Sequence, residues 1–154
     1  MTPLILGCDP GKSGALALVT AAGVLHDVID MPDATGAALG AHLRDFLEAH
    51  SPNVVVCAWV EQVHAMPKQG VVSSFNFGAN YGAILSALGA LGVRTELVTP
   101  NVWKKAMRCT ADKTLARQRA CERWPESSGL FARAKDADRA EAALVAEYGR
   151  RTGL

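Results

Sequence analysis

The order and texture of the apolar segments predict an α/β fold. It is a mixed five-stranded sheet, with strands one to three antiparallel and strands four and five parallel, flanked by helices. Three observations carry this expectation. The chain opens on three short apolar runs separated by turns, as a meander does. Helical and strand-like periodicities then alternate, as parallel crossovers require. Finally, two of the most apolar runs, LILGC and VVVCAWV, each end on an acid, Asp9 and Glu61.

The elements follow in order. PLILGCD is a strand ending at Asp9, and GALALVT and VLHDVID pair around the turn at Ala21, Ala22 and Gly23. TGAALGAHLRDFLEAH places Leu39, Leu43, Phe46 and Leu47 on one side of a helix. After Ser51-Pro52-Asn53, the nearly continuous apolar run VVVCAWVE has the character of a strand covered on both faces. A right-handed crossover would lay it beside the first strand, so that Asp9 and Glu61 end side by side. A helix is expected over 72–91, then a fifth strand, RTELVT, and helices near 100–107, 112–124 and 137–150. In the 72–91 helix, Phe77, Tyr81, Ile84, Leu88 and Leu91 form a narrow stripe suited to the sheet, while Gly78, Gly82 and Gly89 form a bare face. Glycine inside a helix costs about 1 kcal/mol against alanine. Three on one side therefore imply close approach, to the sheet or to a partner subunit.

At 154 residues the chain has the size of one domain, expected to span 1–154 and to bury a core without staples. No apolar run approaches the ~18 residues of a membrane span, and no export leader opens the chain. Cys8, Cys57, Cys109 and Cys121 lack C-x-x-C spacing and suit reduced core thiols. A cytoplasmic protein is expected. The net charge is only +1, but residues 104–124 hold seven Lys/Arg against two acids, so the basic charge is concentrated in one segment. Such a segment suits a polyanion if acidic metal ligands lie elsewhere.

DPGKSG, at residues 9–14, has the look of a phosphate-binding loop, but the pattern requires a glycine where Leu6 stands, and the following ALALVT is a strand. A P-loop must open onto a helix, whose N-terminus holds the anion. Asp9 therefore needs another role. Two acids ending adjacent buried strands repel and raise each other's pKa, a penalty that a divalent cation removes. Carboxylate oxygens without clustered His or Cys point to Mg²⁺, with Mn²⁺ able to substitute. A pair of such ions can activate a water and stabilise a leaving oxygen in phosphodiester hydrolysis. The last helix supplies further acids. Asp138 and Glu141 lie about 60° apart around it, whereas Asp136 lies about 140° from Glu141. Asp138 and Glu141 are the expected ligands, Asp136 the expected N-cap, and a site using Asp136 the alternative.

The motifs ILGCDPGKSG, VEQVHAMPKQG and KDADRAEAALVAEYG, in that order across nearly the whole chain, resemble those of RuvC-type Holliday junction resolvases, within the RNase H-like nuclease superfamily. Glu61-Gln62 after the fourth strand is the most specific part of the likeness. The resemblance implies catalytic metal ligands at Asp9, Glu61, Asp138 and Glu141. It also implies Mg²⁺ dependence, paired nicks in a four-way DNA junction, and a homodimer, which the 72–91 helix would form. Lys113 stands where the family has a basic residue after the fifth strand and is assigned to the scissile phosphate. Lys12, Lys68, Lys104, Lys105, Arg108 and Arg117 are assigned to the DNA backbone, with strong salt dependence expected. The source would be a bacterial cell, with the gene belonging to the host or to a phage. Two positions depart from the family pattern. Glu141 replaces an aspartate, and His64 and Met66 stand where many relatives carry an aromatic that stacks at the junction centre, leaving His64 as a general base, a stacking group or a loop residue with neither role.

Other readings keep less of the sequence. A ribonuclease resembling the RNase H-like factors that trim ribosomal RNA precursors would share the D-x-G strand but lack Glu61-Gln62. A nucleotide-binding protein of the actin type needs two copies of the fold. A non-catalytic scaffold for branched DNA has no need of the full acid set.

Overall fold

The structure, a computed structural model, describes residues 1–153. Strands β1 (Pro3–Asp9), β2 (Ala15–Thr20), β3 (Leu25–Asp30), β4 (Val54–Glu61) and β5 (Thr95–Val98) form one sheet in the order β3-β2-β1-β4-β5. β1, β2 and β3 are antiparallel, and β4 and β5 run parallel to β1, as the sequence predicts. Helices α1 (Gly36–Glu48) and α2 (Val71–Ala90) supply the two crossovers. They are followed by α3 (Pro100–Ala106), α4 (Lys113–Arg123) and α5 (Ala137–Thr152). Two 3-10 segments, Pro125–Phe131 and Ala134–Asp136, join α4 to α5 and were not expected from the sequence.

The alternation of side chains along the strands divides the core in two. Leu4, Leu6 and Cys8 of β1 join Ala58 and Val60 of β4 beneath α1 and α2, through Leu39, Leu43, Ile84 and Leu88. Ile5 of β1 and Trp59 of β4 face the other way, against α5. Asp9 shares the parity of Ile5, and Glu61 that of Trp59, so both acids belong to the α5 face. A register shift in β4 makes this possible. Leu4 pairs with Val55 but Ile5 pairs with Cys57, a one-residue bulge. Without it, one strand's acid would emerge on the opposite face from the other's.

α5 lies almost in contact with the sheet. A Cβ at Gly7 would collide with the backbone of Ala142 and Ala146, and one at Gly149 with the Trp59 ring. The small residues Ala140, Ala142, Ala143 and Ala146 complete this approach, all fully buried. The helix therefore delivers its first turn to the ends of β1 and β4.

The expected stripe on α2 is shorter than its spacing suggested. Ile84 and Leu88 are buried, Phe77 and Tyr81 only partly, and Leu91 lies beyond the helix and is exposed. Gly78, Gly82 and Gly89 meet nothing within 4 Å, so packing inside the chain is not their reason.

Candidate metal and nucleic-acid site

The turn after β1 needs one of its glycines. A side chain at Gly14 would strike the Asp9 carbonyl, whereas Gly11 has ordinary room. Gly11 N–H donates to the Asp9 carbonyl at 3.2 Å, and Gly14 N–H to the Gly11 carbonyl at 3.0 Å. The tight reversal leaves the Asp9 carboxylate facing the start of α5. There, one carboxylate oxygen each from Asp9, Asp138 and Glu141 lie within 4.8 Å of one another. Glu141 is buried, and Asp9 and Asp138 are partly so.

Glu61 is held at the edge of this group. Its Oε2 accepts a hydrogen bond of 2.7 Å from Nε1 of Trp103, which is fully buried in the middle of α3. Sequence reading missed Trp103, because an apolar side chain in a short helix reads as core. Its signal is positional, since α3 begins directly after β5, the strand paired with β4 at Glu61.

Two lysines balance the acids. Lys113 Nζ lies 2.6 Å from Asp138 Oδ1 and 3.6 Å from Glu141 Oε2. Lys104 Nζ lies 3.5 Å from Glu141 Oε1 and over the Trp103 ring. Lys104, assigned by resemblance to the DNA backbone, therefore stands at the acid cluster itself. The electrostatics are those of crowded carboxylates. Burial, then the charges of Glu61, Glu141 and Asp138, push the Asp9 carboxyl well above its ordinary range. Burial also raises Glu61, against the Trp103 hydrogen bond. Burial pulls Lys113 down, but its bond to Asp138 and the charges of Glu141 and Asp138 more than restore it, so its pKa is raised.

Asp136 is elsewhere engaged. Its carboxylate accepts from Arg133 three times, from the backbone N–H at 2.9 Å, Nε at 3.1 Å and Nη2 at 2.8 Å. The Arg133 hydrogen bond is the main cause that holds Asp136 down, to about 2. Asp136 occupies the N-cap position of α5, as expected, but its side chain makes no cap hydrogen bond to that helix and closes the preceding 3-10 turn instead.

The remaining basic candidates are dispersed. Lys12 is exposed on the turn after β1, and His64 and Lys68 on the loop after β4. Lys105 and Arg108 are exposed at the end of α3 and beyond. Arg117 is partly buried, and its Nη1 donates to the Ala132 carbonyl at 2.8 Å.

The donor set suits a hard divalent cation. Oxygen-only ligands, one of them buried and one pushed toward protonation by burial and by its neighbours, are what Mg²⁺ or Mn²⁺ stabilises. Asp9, Asp138 and Glu141 are placed to hold such an ion, whereas Glu61, the fourth expected ligand, falls outside the group whose oxygens lie within 4.8 Å of one another.

No family model and no curated protein sequence matches the chain. Solved structures do. RuvC of Thermus thermophilus superposes with a TM-score of 0.64 at 19% identity, covering 97% of this chain and 96% of that one. The same protein in complex with a Holliday junction substrate gives 0.63, at the same identity and coverage. The five-stranded mixed sheet with its flanking helices is an RNase H-like fold. Within that class it is the RuvC fold. Among the described residues, no helix is long and apolar enough to cross a membrane.

Proposed function

We propose that this protein is a metal-dependent endonuclease that cuts branched DNA, with the four-way junction as its substrate. The supporting observation is the convergence of Asp9, Asp138 and Glu141, from the end of β1 and the first two turns of α5, on a RuvC fold. The relative solved with a Holliday junction substrate supports the choice of DNA.

Asp9, Glu61, Asp138 and Glu141 are the residues that would hold Mg²⁺. Bound cations would supply an activated water and neutralise charge at the phosphodiester. The chain's own groups do the rest. Trp103 fixes one oxygen of Glu61 and leaves the other for the site. Lys113, with its side chain more than half exposed, is placed to bind a nonbridging phosphate oxygen of the substrate. Lys104, held between Glu141 and the Trp103 ring, keeps the buried carboxylates from repelling one another while the site is empty of DNA.

Paired cuts in a four-way junction require two active sites, and α2 offers the surface that would join two subunits. Gly78 and Gly82 are a small pair at i and i+4, with Val71 and Phe75 at 85% and 75% exposure along the same stripe. Bare helix faces of this kind let two backbones approach closely. The unfilled space over the glycines argues for a second copy rather than for internal packing.

The direct test is incubation of the purified protein with a labelled four-way junction and Mg²⁺. Symmetric nicks are expected, and an intact junction under both Mg²⁺ and Mn²⁺ would overturn the reading. Asp9→Asn should bind the junction and not cut it. Structured RNA offered in competition separates the ribonuclease alternative, since RNA cut in preference to DNA would reassign the substrate.

A further inference from the structure

A second charged cluster lies outside the acid site. Between the end of α3 and the seam of α4 with α5 there is an open cavity of about 370 Å³, whose rim carries Arg108, Arg119, Arg123 and Arg151, with Glu122 as the single acid. Its floor is apolar, formed by Met107 and Leu144.

The arginines are anchored but not consumed. Arg119 donates from Nε to the Arg108 carbonyl at 3.2 Å and from Nη1 to Glu122 at 2.9 Å, leaving Nη2. Arg123 donates to Glu147 at 3.0 Å and to the Gly23 carbonyl at 2.8 Å, leaving Nη1. Arg151 uses only Nε, at 2.8 Å from Glu147. Arg108, held at a left-handed φ of 57°, makes no side-chain hydrogen bond or ion pair among the described residues. Beneath the rim, fully buried Glu147 is shared by Arg123, Arg150 and Arg151. Counting Arg150, five guanidinium groups face two carboxylates, so the cluster keeps a clear positive excess. Several planar forks, fixed by their own second bonds and open on one side, match the oxygens of a phosphate better than those of a lone carboxylate.

Its position says which phosphate. α4 starts with Lys113 beside Asp138 and ends with Arg123 beside Glu147, so α4 and α5 run in the same direction. Ten residues at 1.5 Å each separate the acid site from the arginine cavity by about 15 Å along α4. At 3.4 Å per base pair, that is about four base pairs of duplex.

We propose that this cavity is a phosphate subsite for the DNA backbone, holding a duplex arm about four base pairs from the phosphodiester that is cut. The proposal rests on the nuclease reading above and adds a second point of attachment. With one phosphate over the acids and another at the arginines, the arm's direction is fixed, and the scissile bond with it.

The test uses Arg108→Gln, which removes a charge without breaking any contact within the fold. Junction binding is followed by fluorescence anisotropy in Ca²⁺, across a salt series. Arg108→Gln should weaken binding several-fold, and the slope of log affinity against log salt should fall by about 1. A methylphosphonate placed at each backbone position in turn then locates the contact. One neutralised phosphate about four base pairs from the cut should weaken the wild type more than it weakens Arg108→Gln, in which the other rim arginines remain. An unchanged salt slope in the variant, or no position at which the variant loses less affinity than the wild type, overturns the subsite. If pyrophosphate raises the wild-type Tm but fails to compete with the junction, the cavity serves a free phosphate compound and the DNA assignment is wrong. Wild type that binds and cuts the junction while Arg108→Gln is indistinguishable from it removes this proposal alone. Wild type that neither binds nor cuts removes the nuclease reading as well.

Discussion

Trp103 shows how much a single donor can decide. Its indole N–H fixes one oxygen of Glu61 at the edge of the acid cluster, and no other side chain makes a hydrogen bond to Glu61 among the described residues. Trp103→Phe keeps the buried ring and removes only the donor. Loss of such a supporting partner lowers metal affinity or activity by roughly 10–100-fold. The midpoint of a Mg²⁺ titration of cleavage should therefore rise, and saturating metal should recover much of the rate. A merely structural role would lower Tm and leave the midpoint in place. Asp136 and Asp138 separate at the same scale. Asp138→Ala should abolish cutting, whereas Asp136→Ala should lower Tm by freeing Arg133 and still cut the junction. Equal activity of Asp138→Ala and wild type would overturn the ligand assignment. Helical geometry made this choice legible in the sequence, because acids that share a site must share a face. The bond of Glu61 to Trp103 was not legible, because it joins residues of different elements across a sheet edge.

At the scale of elements, α5 and α2 use small residues for opposite ends. α5 brings alanines and Gly149 down onto β1 and β4, and no gap remains. Gly7→Ala has no free volume to occupy and must push α5 outward, with Asp138 and Glu141 on its first two turns. Both Tm and Mg²⁺ affinity should fall together in that variant, the second measured by thermal shift with added metal. On α2 the glycines face open space, so their replacement tests what covers them. Gly82→Ala should add helix propensity worth roughly 1 kcal/mol to an isolated subunit. It should at the same time weaken association where two backbones touch. Sedimentation at several concentrations reads the second effect. A variant that gains stability and associates unchanged would remove α2 as the interface. The periodicity of α2 correctly gave a helix with a bare face, but periodicity does not say whether the bare face meets sheet or solvent.

For the molecule as a whole, the buried carboxylate of Glu147 ties α4 to α5 and sets an acid limit on stability. Against the pull of burial, hydrogen bonds from Arg150, Arg151 and Arg123 bring it down to about 2, from an ordinary 4.5. A depressed folded pKa stabilises the fold above pH 4.5, and that contribution is lost as pH falls from 4.5 towards 2. Asp136 adds to the loss in the same direction, from 3.8 towards about 2. Tm measured against pH should drop through this window. Glu147→Gln should be less stable at neutral pH by roughly 2–3 kcal/mol, below the 3–5 typical of a fully buried pair because its arginines are partly in water. Its acid decline should be shallower, and an unchanged pH profile would show that the cluster does not hold the two helices.

The amino-acid sequence by itself determined the five strands, their parallel or antiparallel sense, and which acids end the two buried strands. Those follow from local period, from turn residues and from charges that end apolar runs, all of which are properties of neighbouring residues. Tertiary structure alone decided that Asp9 and Glu61 share a face, through the one-residue bulge in β4. It also decided that Lys104 meets Glu141 and that four arginines surround one cavity. Such meetings depend on how elements far apart in the chain are set against one another. A one-residue register shift reverses a face, and no local pattern records it.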